Sequence, residues 1–223
     1  MELNVGEALR YLGVREDPDG SLHREMARVA ENLTRTVQLR YVYRVFPAIH
    51  TPDGVVLQDS GVTLTGGTAR QMLAQCSQAA LLVCTLGAQF EALLRAGQAR
   101  DMTRAVMLDA CGSAWVEAGC GAAEQELAAR YPELYLTDRF SPGYGDLPLD
   151  LQPAICASLD AWRRLGVQVT ASLLMNPTKS VTAVIGLSDH PQPARIRGCE
   201  FCSMADTCTL RKGGTTCASG LFS

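Results

Sequence analysis

Runs of like charge, long apolar stretches and histidines are all scarce in this chain of 223 residues. Its 20 basic and 23 acidic side chains leave a formal net charge of -3 and are scattered along the sequence. A nucleic-acid footprint needs clustered Lys and Arg to displace counterions from phosphates, so nucleic acid is not an expected partner. The longest apolar stretch, Ala79 to Gly87, is far shorter than the roughly 20 residues a bilayer helix requires, which excludes a membrane span of that kind. The opening Met1-Glu2-Leu3-Asn4 has neither a basic region nor an apolar one of the sort that directs export. A soluble, cytoplasmic protein is expected. The three histidines, His23, His50 and His190, lie too far apart in sequence to suggest a metal triad or a nucleophile-base pair. Thr65-Gly66-Gly67-Thr68 lacks the spacing and the lysine of a phosphate loop, and reads as a helix start with Thr65 as its cap.

What is present is apolar residues in clear periods, 47% of the chain, enough for one good core covering ~70% of the unfolded surface. Asn4 with Glu7 three residues on resembles a capping box and opens a short helix that ends near Gly13. Leu22, Met26, Val29, Ala30 and Leu33 form the stripe of a second helix over Ser21 to Thr34. From Val37 to Phe46 the apolar period falls to two, the mark of a half-buried strand. Asp53-Gly54 is a turn, and Val55 to Leu64, interrupted by Gly61, is two short strands or one bulged strand. A helix follows the Gly-Gly pair, then a buried strand at Ala79 to Thr85, a helix at Gln89 to Ala96, and a long helix from Asp101 to Arg130.

Further on, the pattern predicts one helix from about Asp150 to Arg164, with Leu151, Ile155, Leu159 and Trp162 on one side and Gly166 at its stop. Two strand-like runs, Val167 to Met175 and Lys179 to Leu187, flank Asn176-Pro177-Thr178 in the manner of a hairpin. The sum is an α+β fold: a twisted, mainly antiparallel sheet with helices covering one of its faces. No internal repeat is visible. After Asp189-His190-Pro191-Gln192-Pro193 the composition shifts to Cys, Gly and Thr, dividing the chain into residues 1–190 and a small tail, 191–223.

Nine cysteines cannot all pair within one chain, which fits a reducing compartment. Cys76, Cys84, Cys111, Cys120 and Cys156 stand singly in apolar segments, where a thiol acts as a small buried hydrophobe. The other four make the spacing Cys199-x2-Cys202-x5-Cys208-x8-Cys217, with Arg197, Arg211 and Lys212 around them. Four thiolates in so short a segment can close around one ion or cluster. A zinc ribbon usually carries two Cys-x-x-Cys pairs and this tail has one, while iron-sulfur sites tolerate more irregular spacing. Zinc, an iron-sulfur cluster and unliganded thiols all stay open.

The most informative stretch is Arg139-Phe140-Ser141-Pro142-Gly143-Tyr144-Gly145-Asp146-Leu147-Pro148. Pro142 presets φ for the second position of a turn, and Gly143 can take the positive φ that a type II turn needs at the third. Backbone N-H and C=O groups in such a turn can be approached by a ligand with no Cβ in the way. Arg139 carries a planar fork suited to a carboxylate, and Tyr144 adds an amphipathic ring. Read by composition alone, the same stretch is an ordinary surface turn.

Arg-x-x-x-Gly-Tyr within a Pro-Gly turn resembles the segment by which the activation domain of cobalamin-dependent methionine synthase holds S-adenosylmethionine. Met175-Asn176-Pro177-Thr178-Lys179-Ser180-Val181 is similar to the Met-x-Pro-x-x-Ser-Val hairpin of that family, and the likeness spans roughly Met107 to Leu187. The resemblance implies that Arg139 binds the carboxylate of the methionine moiety, that Ser141 and Gly143 offer main-chain contacts, and that Tyr144 faces the corrin ring of a docked cobalamin protein. An acidic residue on the family's long helix also touches the ligand. That position falls on Ser113 here, with Asp109 and Glu117 one turn to either side, and Glu117 is the candidate for the role. The three share a helix face, which is equally the pattern of a solvated face. The family's N-terminal aspartate and C-terminal tyrosine are left without counterparts.

Two functions follow from the resemblance. One is an accessory subunit for reductive activation of methionine synthase or another corrinoid protein, presenting the sulfonium methyl to reduced cobalamin while the cofactor does the chemistry. An iron-sulfur tail would then relay electrons from a donor such as a ferredoxin or flavodoxin. The alternative is a non-catalytic module that binds S-adenosylmethionine or docks on a corrinoid protein, its tail stapled by zinc. A conventional methyltransferase acting on a small substrate lacks support, since the chain shows no Rossmann-type glycine fingerprint after an early strand and no clear general base.

Overall fold

The computed structural model describes residues 1–14 and 17–192. The 191–223 tail, with Cys199, Cys202, Cys208 and Cys217, lies outside the described residues apart from Pro191 and Gln192. Asn4 caps the first helix, α1 (Val5–Tyr11), its Oδ1 accepting from the Glu7 N-H. The amphipathic stripe read from Leu22 to Leu33 is borne out in α2 (Ser21–Thr36), which buries Met26, Val29, Ala30 and Leu33. The half-buried strand expected from Val37 to Phe46 begins later and runs further, forming β1 (Arg40–Thr51). The segment interrupted by Gly61 is two strands, β2 (Gly54–Leu57) and β3 (Val62–Leu64). Helix α3 (Gly67–Leu73) leads to β4 (Gln78–Thr85), α4 (Gly87–Gln98) and the long α5 (Met102–Arg130), whose Asp101 cap accepts from the Arg104 N-H.

Six strands pair antiparallel in the order β3-β2-β1-β4-β8-β5, where β5 is Tyr135–Leu136 and β8 is Ser180–Ser188. Helices cover both faces of this sheet, not one. Ala80, Leu82 and Cys84 of β4 pack with Ala183, Ile185 and Leu187 of β8 against α1, α2 and α5. Ala79, Leu81 and Val83 point the other way, into a second cluster with α3, Phe140, Leu147 and the helices that follow. The reason is in the run Ala79 to Cys84, which is apolar at every position: a strand wet on one face alternates, and this one does not. Burying one such Leu contributes about 1.5–3 kcal/mol, so a one-sided cover would forfeit half of what the central strands offer.

Two other expectations are corrected. The single helix foreseen over 150–164 is a 3-10 turn at Leu149–Leu151, then α6 (Gln152–Ser158) and α7 (Ala161–Leu165), broken where Asp160 takes a φ of 50°. That break rotates Trp162 off the apolar side, leaving it 62% exposed, while Ile155 and Leu159 stay buried. Gly166 ends α7 in the left-handed conformation as expected. The runs around Asn176-Pro177-Thr178 do not pair with each other. Residues Gln168–Val169 (β6) instead pair with Met175–Asn176 (β7) in a separate ribbon, the Asn176-Pro177 peptide is cis, and β8 departs to lie beside β4.

Candidate functional site

Beyond β5 the chain continues along the edge of β8: the Thr137 N-H donates to the Gly186 carbonyl, and Phe140 and Val184 exchange both backbone hydrogen bonds. Alternation along this extended segment sends Phe140 into the α3 core and Arg139 toward α5 on the opposite face. Arg139 is therefore not at the surface. Its side chain is 11% exposed, with Nη2 at 2.5 Å from Glu117 Oε2 and Nη1 at 2.9 Å from Glu124 Oε2. Burial works against the guanidinium charge, but neighbouring Cys120, Glu124 and Glu117 outweigh it and push the pKa up. Glu117, Cys120 and Glu124 stand at i, i+3 and i+7 on one face of α5.

Glu117, one of the trio read from the sequence, thus meets Arg139; Asp109 and Ser113 do not. They receive Lys179 instead, its Nζ at 3.0 Å from Asp109 Oδ2 and 2.8 Å from Ser113 Oγ. The position expected to touch a ligand is occupied by a lysine of the segment that resembles the family hairpin. Glu91 of α4 holds the same segment, accepting from the Thr178 N-H at 2.6 Å and its hydroxyl at 2.5 Å. Ser180 and Thr85 join hydroxyls at 2.7 Å beneath it. Sequence reasoning missed Glu124, although its i+7 spacing from Glu117 was visible, and missed the Lys179 and Glu91 contacts, for which no local signal exists.

The turn itself has the predicted form. The Tyr144 N-H donates to Ser141 O at 3.1 Å, and Gly143 has a φ of 86°. The Gly143 N-H reaches Leu147 O at 2.8 Å and the Leu147 N-H returns to Tyr144 O at 3.0 Å, closing a compact loop over 141–147. Pro142 and Leu147 are buried, Gly143 is exposed, and Tyr144 is 41% exposed at the tip. Ser141, Gly143 and Tyr144 therefore follow Arg139 out of the core onto the surface in one continuous path.

The helix start at 65–68 is capped, but not by Thr65. The cap residue is Gly66, and the N-H groups of Gly67 and Thr68 donate to the Asp146 carboxylate, 78 residues away from Thr68 in sequence, at 2.5 and 2.8 Å. Hydrogen bonds from Thr68 and Gly67 hold the Asp146 pKa down at about 2. The glycines are needed there: a Cβ on Gly66 would lie 2.8 Å from Asp146 O, and one on Gly145 would lie 2.5 Å from Thr68 Oγ1.

A cleft of about 370 Å³ opens elsewhere, between the first turns of α2 and α5, lined by Ser21, Arg24, Glu25, Arg28, Val29 and Arg104. Its guanidinium groups are exposed and no buried polar side chain points into it, so the candidate site is placed at Arg139 and its turn. Among the described residues no group of three or more His, Cys, Asp or Glu is placed to hold a metal ion, and no helix is long and apolar enough to cross a membrane.

The six-stranded antiparallel sheet between two helical layers is a fold this chain shares with a methionine synthase reactivation domain. Among solved structures the chain is similar to a crystal structure of the MetH reactivation domain bound to AdoHcy, with a TM-score of 0.65 at 16% identity, covering 99% of this chain and 86% of that one. No protein-family model and no curated protein matches the sequence.

Proposed function

We propose that this protein binds S-adenosylmethionine at the Arg139 turn and presents its methyl group to reduced cobalamin carried by a methionine synthase or related corrinoid protein. The observation that carries the reading is the charge arrangement at the base of the turn: one guanidinium between the two carboxylates of Glu117 and Glu124. That set has a net charge of one negative. S-adenosylmethionine has a sulfonium, an ammonium and a carboxylate, a net charge of one positive. Glu117 is 41% exposed and Glu124 is 20% exposed, so Glu117 is the carboxylate free to exchange Arg139 for the ligand ammonium, leaving Nη2 to the ligand carboxylate. Ser141 and Gly143 offer main-chain groups beside it, and Tyr144 stands at the rim facing a docked corrin.

The chemistry belongs to the cofactor. Bound to the partner, cobalamin reduced by one electron from an external donor would supply the acceptor for the sulfonium methyl, and S-adenosylhomocysteine would be left on this protein. The protein's part is positioning and exclusion of water. The electron comes from a donor such as a ferredoxin or flavodoxin, with Cys199, Cys202, Cys208 and Cys217 holding an iron-sulfur cluster as relay or a zinc ion as staple. Metal analysis of anaerobically purified protein separates these: iron and sulfide lost in a Cys199→Ser, Cys202→Ser variant support the relay, and stoichiometric zinc supports the staple.

Calorimetry of the full chain with S-adenosylmethionine tests the binding claim. Saturable binding is expected, weakened at least tenfold in Glu117→Gln and in Arg139→Lys, which keeps a charge but loses the fork. Equal affinity in all three proteins removes the residue assignment. Faster methylcobalamin formation on mixing with an isolated cobalamin domain and a reductant would establish the activity.

A further inference from the structure

The Gly66-Gly67 pair, which carries no phosphate signature, has an internal anion as its occupant. We infer that Asp146, seated on the N-H groups of Gly67 and Thr68, is a positioning residue that holds the 141–147 turn in its ligand-binding geometry; this rests on the reading of that turn as the S-adenosylmethionine site.

Three observations converge on it. The turn contains two glycines at positive φ, Gly143 at 86° and Gly145 at 57°, and glycine loses more freedom on ordering than any other residue. Its own internal bonds, from Gly143 to Leu147 and from Leu147 to Tyr144, close the loop without orienting it on the protein. Its ends are anchored by buried Phe140 and Leu147, and between them the Asp146 carboxylate ties the loop to the first turn of α3. The fit is close on both sides, since Gly145 lies against the Thr68 hydroxyl and Gly66 against the Asp146 carboxylate, with no room for a Cβ at either. A carboxylate accepting two backbone N-H groups fixes direction as well as distance, so it seats the Asp146 end of the loop on α3. The bonds from Gly143 to Leu147 and from Leu147 to Tyr144 tie that end to the peptides a ligand would meet at Ser141 and Gly143. Pre-ordering them removes an entropy cost that binding would otherwise carry.

The test compares wild type, Asp146→Asn, Asp146→Ala and, as a control for loss of surface charge, Asp150→Ala. Each is titrated with S-adenosylmethionine, melted, and followed by amide hydrogen exchange. Expected are a tenfold or greater loss of affinity in Asp146→Ala, a smaller loss in Asp146→Asn, which keeps one acceptor oxygen, and none in Asp150→Ala. A carboxylate with a merely structural role would lower the melting temperature and leave the affinity of the folded protein intact. Wild-type affinity in Asp146→Ala overturns the inference. Should wild type itself bind no S-adenosylmethionine, the functional reading fails, and exchange then decides the clamp separately. Faster exchange at Gly67, Thr68 and residues 143–147 in the variants supports a clamp, and unchanged protection there overturns it. Exchange in wild type alone also serves if Asp146→Ala does not fold: rapid exchange at Gly67 and Thr68 contradicts a seated carboxylate.

Discussion

Arg139 is the residue whose environment differs most from what its neighbours in sequence suggest. Next to a surface turn it looks exposed, yet strand alternation delivers it under α5, where two carboxylates meet it. Its replacement consequently touches stability as well as binding. Arg139→Ala removes the guanidinium that Glu117 and Glu124 share and is expected to cost about 1–3 kcal/mol in denaturant unfolding. Restoring part of that loss by adding Glu124→Gln would locate the effect in the pair; no restoration would place it in lost packing. Asp146 carries a pH consequence. Its hydrogen bonds hold its folded pKa down at about 2, below the ordinary 3.8 of an aspartate, so the carboxylate stabilises the folded state fully above the unfolded value and loses that contribution as pH falls toward 2. Exchange at Gly67 and Thr68, corrected for intrinsic rates, should therefore be protected at pH 6 and progressively less so below pH about 4. Protection independent of pH across that window would contradict the assignment.

At the scale of elements, α5 makes opposite predictions for three glycines in one helix. A Cβ at Gly112 would meet Phe90 Cζ at 2.4 Å, and one at Gly119 would meet both Leu39 methyls at 2.6 Å, whereas nothing lies within 4 Å of Gly121. Alanine at Gly112 overpacks the contact with α4 and should destabilise by ~1–3 kcal/mol. Alanine at Gly121 relieves the entropy cost of glycine inside a helix and should stabilise by ~0.5–1 kcal/mol. Urea unfolding of the two variants gives shifts of opposite sign if the packing is right. The helix is apolar around most of its girth because it touches α1, α2, α4 and the sheet, and one polar stripe on it receives Lys179 and Arg139. Helix α2, with its clear period, and β4, with its short unbroken apolar run, were legible from their residues. The break at Asp160 was not, since nothing in Leu159-Asp160-Ala161 forbids a helix locally; the turn comes from docking α6 and α7 separately on the sheet.

For the molecule as a whole, two cores share one sheet, and the five single cysteines fall inside them. Burial pushes the thiols of Cys76 and Cys111 up to about 12 and that of Cys156 to about 11, and Cys84 is raised as well by its contact with Cys120 and by burial. These five should resist alkylation at pH 8 in native protein and react on unfolding, as peptide mass spectrometry would show; native labelling at any of them would mean that the cores open locally.

The amino-acid order by itself determined the kinds of element, the type II turn at Pro142-Gly143 and the resemblance carried by Arg139 to Tyr144, because propensity, period and turn chemistry are properties of adjacent residues. It left undecided the second helical layer, the partner of each strand, the capping of α3 by Asp146 and the capture of Arg139 by Glu117 and Glu124. Those contacts join residues far apart in the chain, and only packing both faces of the sheet at once selects which of the many chemically acceptable pairs come within hydrogen-bonding distance.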